Sequence, residues 1–453
     1  MQHAWSLALR NLRRNRRRNV ATVAAIAFGY AGLVLMGGYT NRVENFLRTN
    51  AVYLQHSGHV AVWLVGGLDK ATSDPLKYQF DETAQKNITS WAKADPRVEF
   101  VVPYLRGMGL AGNGCATHPT ALYGVDPKDL GRLVSHPEVE RWSNEIVAPV
   151  KGRWMHHYPT MENGAAVSAG LAALLQKPKV FDDVQGHPPA PAVLDCDGPQ
   201  EQAQLQADAN VQVVSLTYDG VFSGVDTEMV ATIHWAEASG EDGTMVTSLA
   251  SLQKLYDTTR VTYVSLFLHR MTDAAEVARN ITAAMASQGL KVEALPYDSE
   301  RWNPYYVGTM AFLGSMVGVV TILVALVVVL TVSGAMTLAI LERAREMGTW
   351  RALGFGRGHL AGLMVREALL LGLLGVVAGL LLGFGAAAGI NMSNIRFSPP
   401  GVPGTIALII APSLTACLVQ AAIIIPGVAI SALVVVRGQL RRGVVDLLTT
   451  QTG

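Results

Sequence analysis

The amino-acid sequence predicts a polytopic α-helical membrane protein with four transmembrane helices and a large α+β domain inserted between helices 1 and 2. Three observations predict it. Four stretches long enough to cross a bilayer carry no charged residue. Arginines cluster on one side of those stretches. The long segment between the first and second has mixed strand and helix patterns.

Half of the 453 residues are apolar and only 16% are charged. Asn19–Asn41, Trp302–Leu341, Ala368–Ile395 and Phe397–Val436 contain no Asp, Glu, Lys or Arg. Crossing a hydrocarbon core takes roughly 20 apolar residues, and helices buried in soluble cores rarely run that far without a charge. A secretory signal is a poor reading of the first stretch: its apolar run is too long, and no small-x-small site follows at Leu35–Asn41. The expected spans are 19–41, 302–341, 368–390 and 404–436, with a short outer loop at 391–403. The second uncharged stretch would be roughly 60 Å long as a helix at 1.5 Å per residue, so it is expected to project as a stalk.

Sidedness follows from the arginines. Residues 1–18, 342–367 and 437–453 together hold 14 arginines against four acids (Glu342, Glu346, Glu367 and Asp446). Positive residues stay in the cytoplasm, so both termini and the 342–367 loop belong there. Residues 1–18 read as an amphipathic interfacial helix with Trp5, Leu9 and Leu12 on one face. Beside a span, Arg13, Arg14, Arg16, Arg17 and Arg18 suit anionic lipid headgroups. The whole chain is +1, which leaves residues 42–301 strongly acidic. That argues against nucleic acid as a partner.

Within 42–301, strand-like runs appear at His59–Val65, Phe100–Leu105, Val211–Thr217, Met229–Ile233 and Tyr263–Leu268. Helical patterns appear at Glu82–Lys93, Ala166–Leu175, Ser248–Tyr256 and Asp273–Ser287. Gly186–Asn210 reads as a long surface loop, and two subdomains are expected. Cys417 falls in the fourth span, as packing. Cys115 and Cys196 both fall in the outer domain, and the sequence leaves open whether they pair.

Chemistry is sparse. There is no Gly-rich nucleotide loop ending in Lys-Ser or Lys-Thr and no cysteine pair at zinc spacing. His156 and His157 are adjacent, and neighbouring side chains diverge, so a metal reading is weak. The spans carry no charge near their centres, where ion-coupled carriers place one. No catalytic residue and no metal site is expected, and any energy source lies elsewhere.

The informative segment is Glu342–Gly354, ERAREMGTWRALG. Its charges permit i, i+3 pairs, Glu342 with Arg345 and Arg343 with Glu346. Met347, Trp350 and Leu353 make an apolar edge, and Gly354 ends the helix. A short amphipathic helix bearing a tryptophan suits docking. In the third span Gly375, Gly379 and Gly383 stand four apart, a spacing that lets helices approach. Gly314 and Gly318 repeat it in the second.

This segment resembles the signature of the FtsX/MacB/LolC-LolE-type ABC transporter permeases, in which the loop after the second span is the coupling helix that seats on a cytosolic ATPase. The match covers Glu342, Arg343, Arg345, Glu346, Gly348, Arg351, Ala352, Leu353 and Gly354. Met347 fills a slot where Ile is commoner, and Trp350 replaces a smaller aliphatic. ALRNLRRNRRRN before the first span, YGVDP at Tyr123–Pro127, AAVSAGLAALL at Ala165–Leu175 and YDGVFSGVDTEMV at Tyr218–Val230 are similar to further family segments. The resemblance implies a bacterial inner-membrane permease with a periplasmic domain. Its partners would be a cytosolic ABC ATPase dimer that binds ATP and Mg, a second permease copy or paralogue, membrane lipids, and a periplasmic carrier or adaptor. SGHVAVW at Ser57–Trp63 is similar to a strand of lipoprotein-release permeases, which points to lipoprotein or other hydrophobic cargo. Control of a periplasmic enzyme and efflux of small molecules remain alternatives.

Overall fold

The computed structural model describes residues 16–184, 196, 203, 205–235, 240–398 and 405–440. Residues 1–15 of the helix expected at 1–18, with Arg13 and Arg14, lie outside them, as do most of 186–210 and the tail beyond 440. The chain divides into two compact units: Met1–Glu44, Met310–Ile395 and Ala407–Gly453 form one, and Asn45–Thr309 with Arg396–Ile406 the other.

Among the described residues, the second unit is built on a sheet of ten strands: β1 Val60–Leu64, β2 Val98–Gly112, β3 Thr117–Val125, β4 Lys151–Gly152, β5 Gly164–Ser168, β6 Asn210–Leu216, β7 Phe222–Ile233, β8 Thr244–Ser248, β9 Tyr263–Leu268 and β10 Val292–Pro296. They pair in the order β10-β1-β9-β2-β3-β8-β5-β7-β4, and β6 bridges β2 and β7. The bridge closes β2-β3-β8-β5-β7-β6 into a ring. β2 is long enough to serve two subdomains: Val98 to Tyr104 pairs with β9, and Leu105–Gly112 pairs with β3. β3–β8 and β5–β7 are the parallel pairs.

Strand alternation sorts the cores. Val60 and Val62 face a layer with Ile88, Val277, Ile281 and Met285 of the helices Glu82–Ala94 and Ala274–Ser287. Ala61 and Trp63 face the other way, toward Tyr104, Tyr263 and Phe267. The ring holds Leu105, Leu122, Val167, Val211, Met229 and Met245. Asp81 caps the helix Glu82–Ala94 by accepting the Ala84 N–H at 2.8 Å; Ser248 caps Leu249–Tyr256 from the Ser251 N–H at 3.0 Å, as N-cap side chains do.

One sequence expectation is corrected here, and one question the sequence left open is answered. Ala166–Leu175 is not one helix: Gly164–Ser168 is a strand, fully buried between β7 and β8, and the helix is Ala169–Leu174. A short buried apolar run carries no period that separates strand from helix. The strands β8 and β10, five residues each, escaped the pattern for the same reason of short length. Cys115 and Cys196 form a disulfide, with their Cα atoms 5.5 Å apart across 81 positions.

The first unit holds the membrane helices. Four helices are long and apolar enough to span: Arg16–Leu54 (whose last turn, Asn50–Leu54, is π-helical), Pro304–Glu342, Arg357–Met392 and Leu414–Gln439. Ile26, Tyr30, Leu33 and Val34 of the first pack with Val328, Val332 and Met336 of the second, Leu371 and Val376 of the third, and Cys417, Ile424 and Val428 of the fourth. Hydrogen bonds tie the bundle where side chains are polar: Tyr30 Oη donates to the Cys417 carbonyl at 2.6 Å, and the Ser333 and Ser431 hydroxyls meet at 2.7 Å.

Candidate functional site

The loop after the second span folds as the helix Ala344–Ala352. Its end is a Schellman motif. The Gly354 N–H donates to the Arg351 carbonyl and the Phe355 N–H to the Trp350 carbonyl, both at 3.0 Å. Gly354 takes φ +91°, a region that favours glycine. The Phe355 and Trp350 rings sit 6.1 Å apart across the turn.

The two faces of this helix are not those the spacing suggested. Ala344, Met347 and Gly348 are buried, with Met347 against Ile340, Leu360, Met364 and Val436. Trp350 is half-buried beside them. The expected edge of Met347, Trp350 and Leu353 is therefore split: only Leu353 is fully outward, at 73% exposure. The outward face is Arg345, Glu346, Thr349, Ala352, Leu353 and Phe355. Arg351 is half-buried. Periodicity locates an apolar edge without saying which side it turns to, and here the bundle base claims it.

The charged joint above the helix also differs from the expected local pairs. Arg18 Nη1 donates to Glu342 Oε2 at 2.5 Å, and Arg343 Nη1 donates to Glu367 Oε2 at 3.1 Å. Neighbouring residues thus reach the start of the first-span helix and the third-span helix. Glu367, grouped by charge with the loop, is fully buried on a helix that already begins at Arg357. Arg16 and Arg17 are exposed, whereas Arg18 is spent on Glu342 rather than on headgroups alone.

The third-span glycines form a seam against the first span. A Cβ on Gly375 would lie 2.6 Å from Ile26, on Gly379 2.6 Å from the Ala27 carbonyl, and on Gly383 2.8 Å from Val34. Gly314 and Gly318 do no such packing within the chain: a Cβ there meets nothing within 4 Å. They line a cleft of about 830 Å³ instead, with Val317, Ile322, Val419 and Ile423 as apolar wall and Thr40, Glu44 and Gln420 as polar points. Thr40 Oγ1 and Gln420 Oε1 are buried without a partner among the described residues.

The outer domain has its own cavity of about 510 Å³, lined in part by Tyr53, His59, Glu99, His136 and His269. Glu99 Oε2 lies 3.7 Å from His136 Nε2 and 4.0 Å from His269 Nδ1. His136 Nδ1 accepts the Glu138 N–H at 3.2 Å, so its Nε2 carries the proton and is poorly set to bind a metal. The His156 and His157 ring centroids lie 4.1 Å apart with their planes tilted by 37°. Sequence reasoning missed this cavity because its residues come from five separated segments.

Among the described residues, four apolar helices, tightly seamed, with a short helix on the loop between the second and third, give the architecture of a multi-pass membrane protein. Residues 316–435 match the family model described as FtsX-like permease C-terminal, so this stretch is similar to the C-terminal domain of FtsX-like permeases. Permeases of this kind work with a cytosolic ABC ATPase. Among solved structures, the chain is similar to the extracellular domain of the noncanonic ABC-type transporter YknZ from Gram-positive bacteria, at 12% identity and TM-score 0.29, covering 48% of this chain and 89% of that one. It is similar as well to the periplasmic region of MacB from Actinobacillus actinomycetemcomitans, at 9% identity and TM-score 0.32, covering 53% and 90%. No curated protein matches the chain.

Proposed function

We propose that this chain passes ATP-driven motion from a separate cytosolic ATPase dimer, which holds ATP and Mg, to its periplasmic domain, and that it extracts or exports a lipoprotein or another hydrophobic cargo. The observation that carries the cargo reading is the cleft at Gly314 and Gly318. Its volume of about 830 Å³ is that of a small-molecule or acyl-chain site, with mostly apolar walls and few polar points. The unpartnered Thr40 and Gln420 oxygens would accept a donor from a cargo's polar end, since buried polar atoms ordinarily find one. The ATPase seats on the outward face of the loop helix, where Arg345, Glu346, Leu353 and Phe355 stand free of the bundle core.

Two measurements test this. Gly318→Leu fills open space, so the fold should stand while capture of a photoreactive diacylated peptide in phosphatidylethanolamine–phosphatidylglycerol vesicles falls at least several-fold. Arg345→Glu with Leu353→Asp should strip the ATPase that co-purifies with the chain. Undiminished peptide capture would sink the cargo reading. An ATPase still bound would sink the docking face.

A further inference from the structure

Arg343 and Glu367 stand 24 positions apart and form the most buried ion pair of the membrane unit among the described residues, with side chains 8% and 0% exposed. One hydrogen bond joins them, Arg343 Nη1 to Glu367 Oε2 at 3.1 Å. Arg343 Nη2 and Glu367 Oε1 are both buried with no partner among the described residues. The fork is therefore half engaged. A buried pair of this kind is weak support for stability, because apolar residues of similar volume do as well or better, whereas stripping one partner leaves an uncompensated charge. Its placement is specific. Arg343 lies between the second-span helix, which ends at Glu342, and the loop helix, which begins at Ala344. Glu367 lies on the third-span helix eight residues before Gly375, where the glycine seam onto the first span begins.

We propose that Arg343 and Glu367 are positioning residues that fix the loop helix to the third span, so that displacement of the loop helix carries the third span with it. The guanidinium cannot leave the carboxylate without stranding two charges in an apolar surround. It can rotate on it, because the second fork position holds no partner among the described residues. The glycine seam then makes the first span follow the third. The pair thus converts a push on a surface helix into movement of two spans. The inference rests on the permease reading only for what does the pushing.

The test uses the full chain alone in lipid nanodiscs, with spin labels at Leu353 and Met392, which are 73% and 86% exposed. The parent chain should give one narrow distance distribution between loop helix and third-span end. Arg343→Gln and Glu367→Gln should broaden it. Arg343→Met with Glu367→Leu should unfold at the parent's temperature yet stay broad, and Arg343→Glu with Glu367→Arg should narrow it again. A distribution as narrow as the parent's in the apolar pair overturns the proposal, because packing alone would then position the helix. Loss of fold in the apolar pair also overturns it, since the ions would then serve stability. No ATPase is present, so failure here leaves the permease reading standing.

Discussion

At the scale of residues, burial sets protonation in the outer domain. His59 is pushed down to about 3, first by burial and then by the charges of His136 and Arg48. Its Nδ1 accepts the Leu268 N–H at 3.0 Å, which only an unprotonated nitrogen can do. Burial alone pushes His56 down to about 4. Both are neutral in the fold, while the unfolded chain takes up protons near pH 6.5. The unfolded state binds more protons between those values, so stability rises with pH across that window and is lost as pH falls below about 6.5. The thermal unfolding midpoint of the full chain should therefore drop steadily from pH 6.5 to 4.5. His59→Asn, which keeps an acceptor for Leu268 but cannot titrate, should flatten part of that slope; an unchanged slope would remove His59 from the account. Gly354 offers a second residue-scale test. At φ +91° a Cβ is strained, and Gly354→Ala should cost roughly 1–2 kcal/mol of local stability, read as faster amide exchange at Phe355 while the spans stay protected.

At the scale of elements, the glycine seam is the sharpest feature. A Cβ on Gly379 would meet backbone, the Ala27 carbonyl at 2.6 Å and Ala27 Cα at 3.1 Å, and backbone has no rotamer with which to yield. Gly379→Ala should destabilise the bundle by roughly 1–3 kcal/mol, as overpacking does, while Gly314→Ala, whose Cβ meets nothing, should leave it unchanged. Equal midpoints for the two variants in detergent would contradict the seam. The spacing of Gly375, Gly379 and Gly383 was legible in the sequence, but so was that of Gly314 and Gly318, and only packing tells a seam from a cleft. The same limit recurs elsewhere. Absence of charge marks where hydrocarbon ends rather than where a helix ends, so residues 357–367 read as loop although the helix already runs there. The Arg343–Glu367 pair has no sequence signal at all, because a contact across 24 positions and a helix break follows no local period. Strong periods were readable: the patterns at Glu82–Lys93 and Ser248–Tyr256 fall within one residue of the helices Glu82–Ala94 and Leu249–Tyr256.

At the scale of the whole molecule, charge and oxidation give independent routes to sidedness. The 14 arginines of the three interhelical and terminal segments lead us to expect 342–367 on the cytoplasmic side. The Cys115–Cys196 disulfide needs an oxidising compartment to persist, and it lies in the segment between the first and second spans, which the arginine rule leads us to expect on the opposite side. The two arguments share no residue. In intact cells lacking their outer barrier, a membrane-impermeant maleimide should therefore label Val221→Cys, which is 63% exposed in the parent, and should label Leu353→Cys only after the membrane is opened. The background is low because Cys417 is buried and Cys115 and Cys196 are paired. Labelling of Leu353→Cys from outside would invert the topology, and with it the loop helix could not meet a cytosolic ATPase whatever its outward face offered.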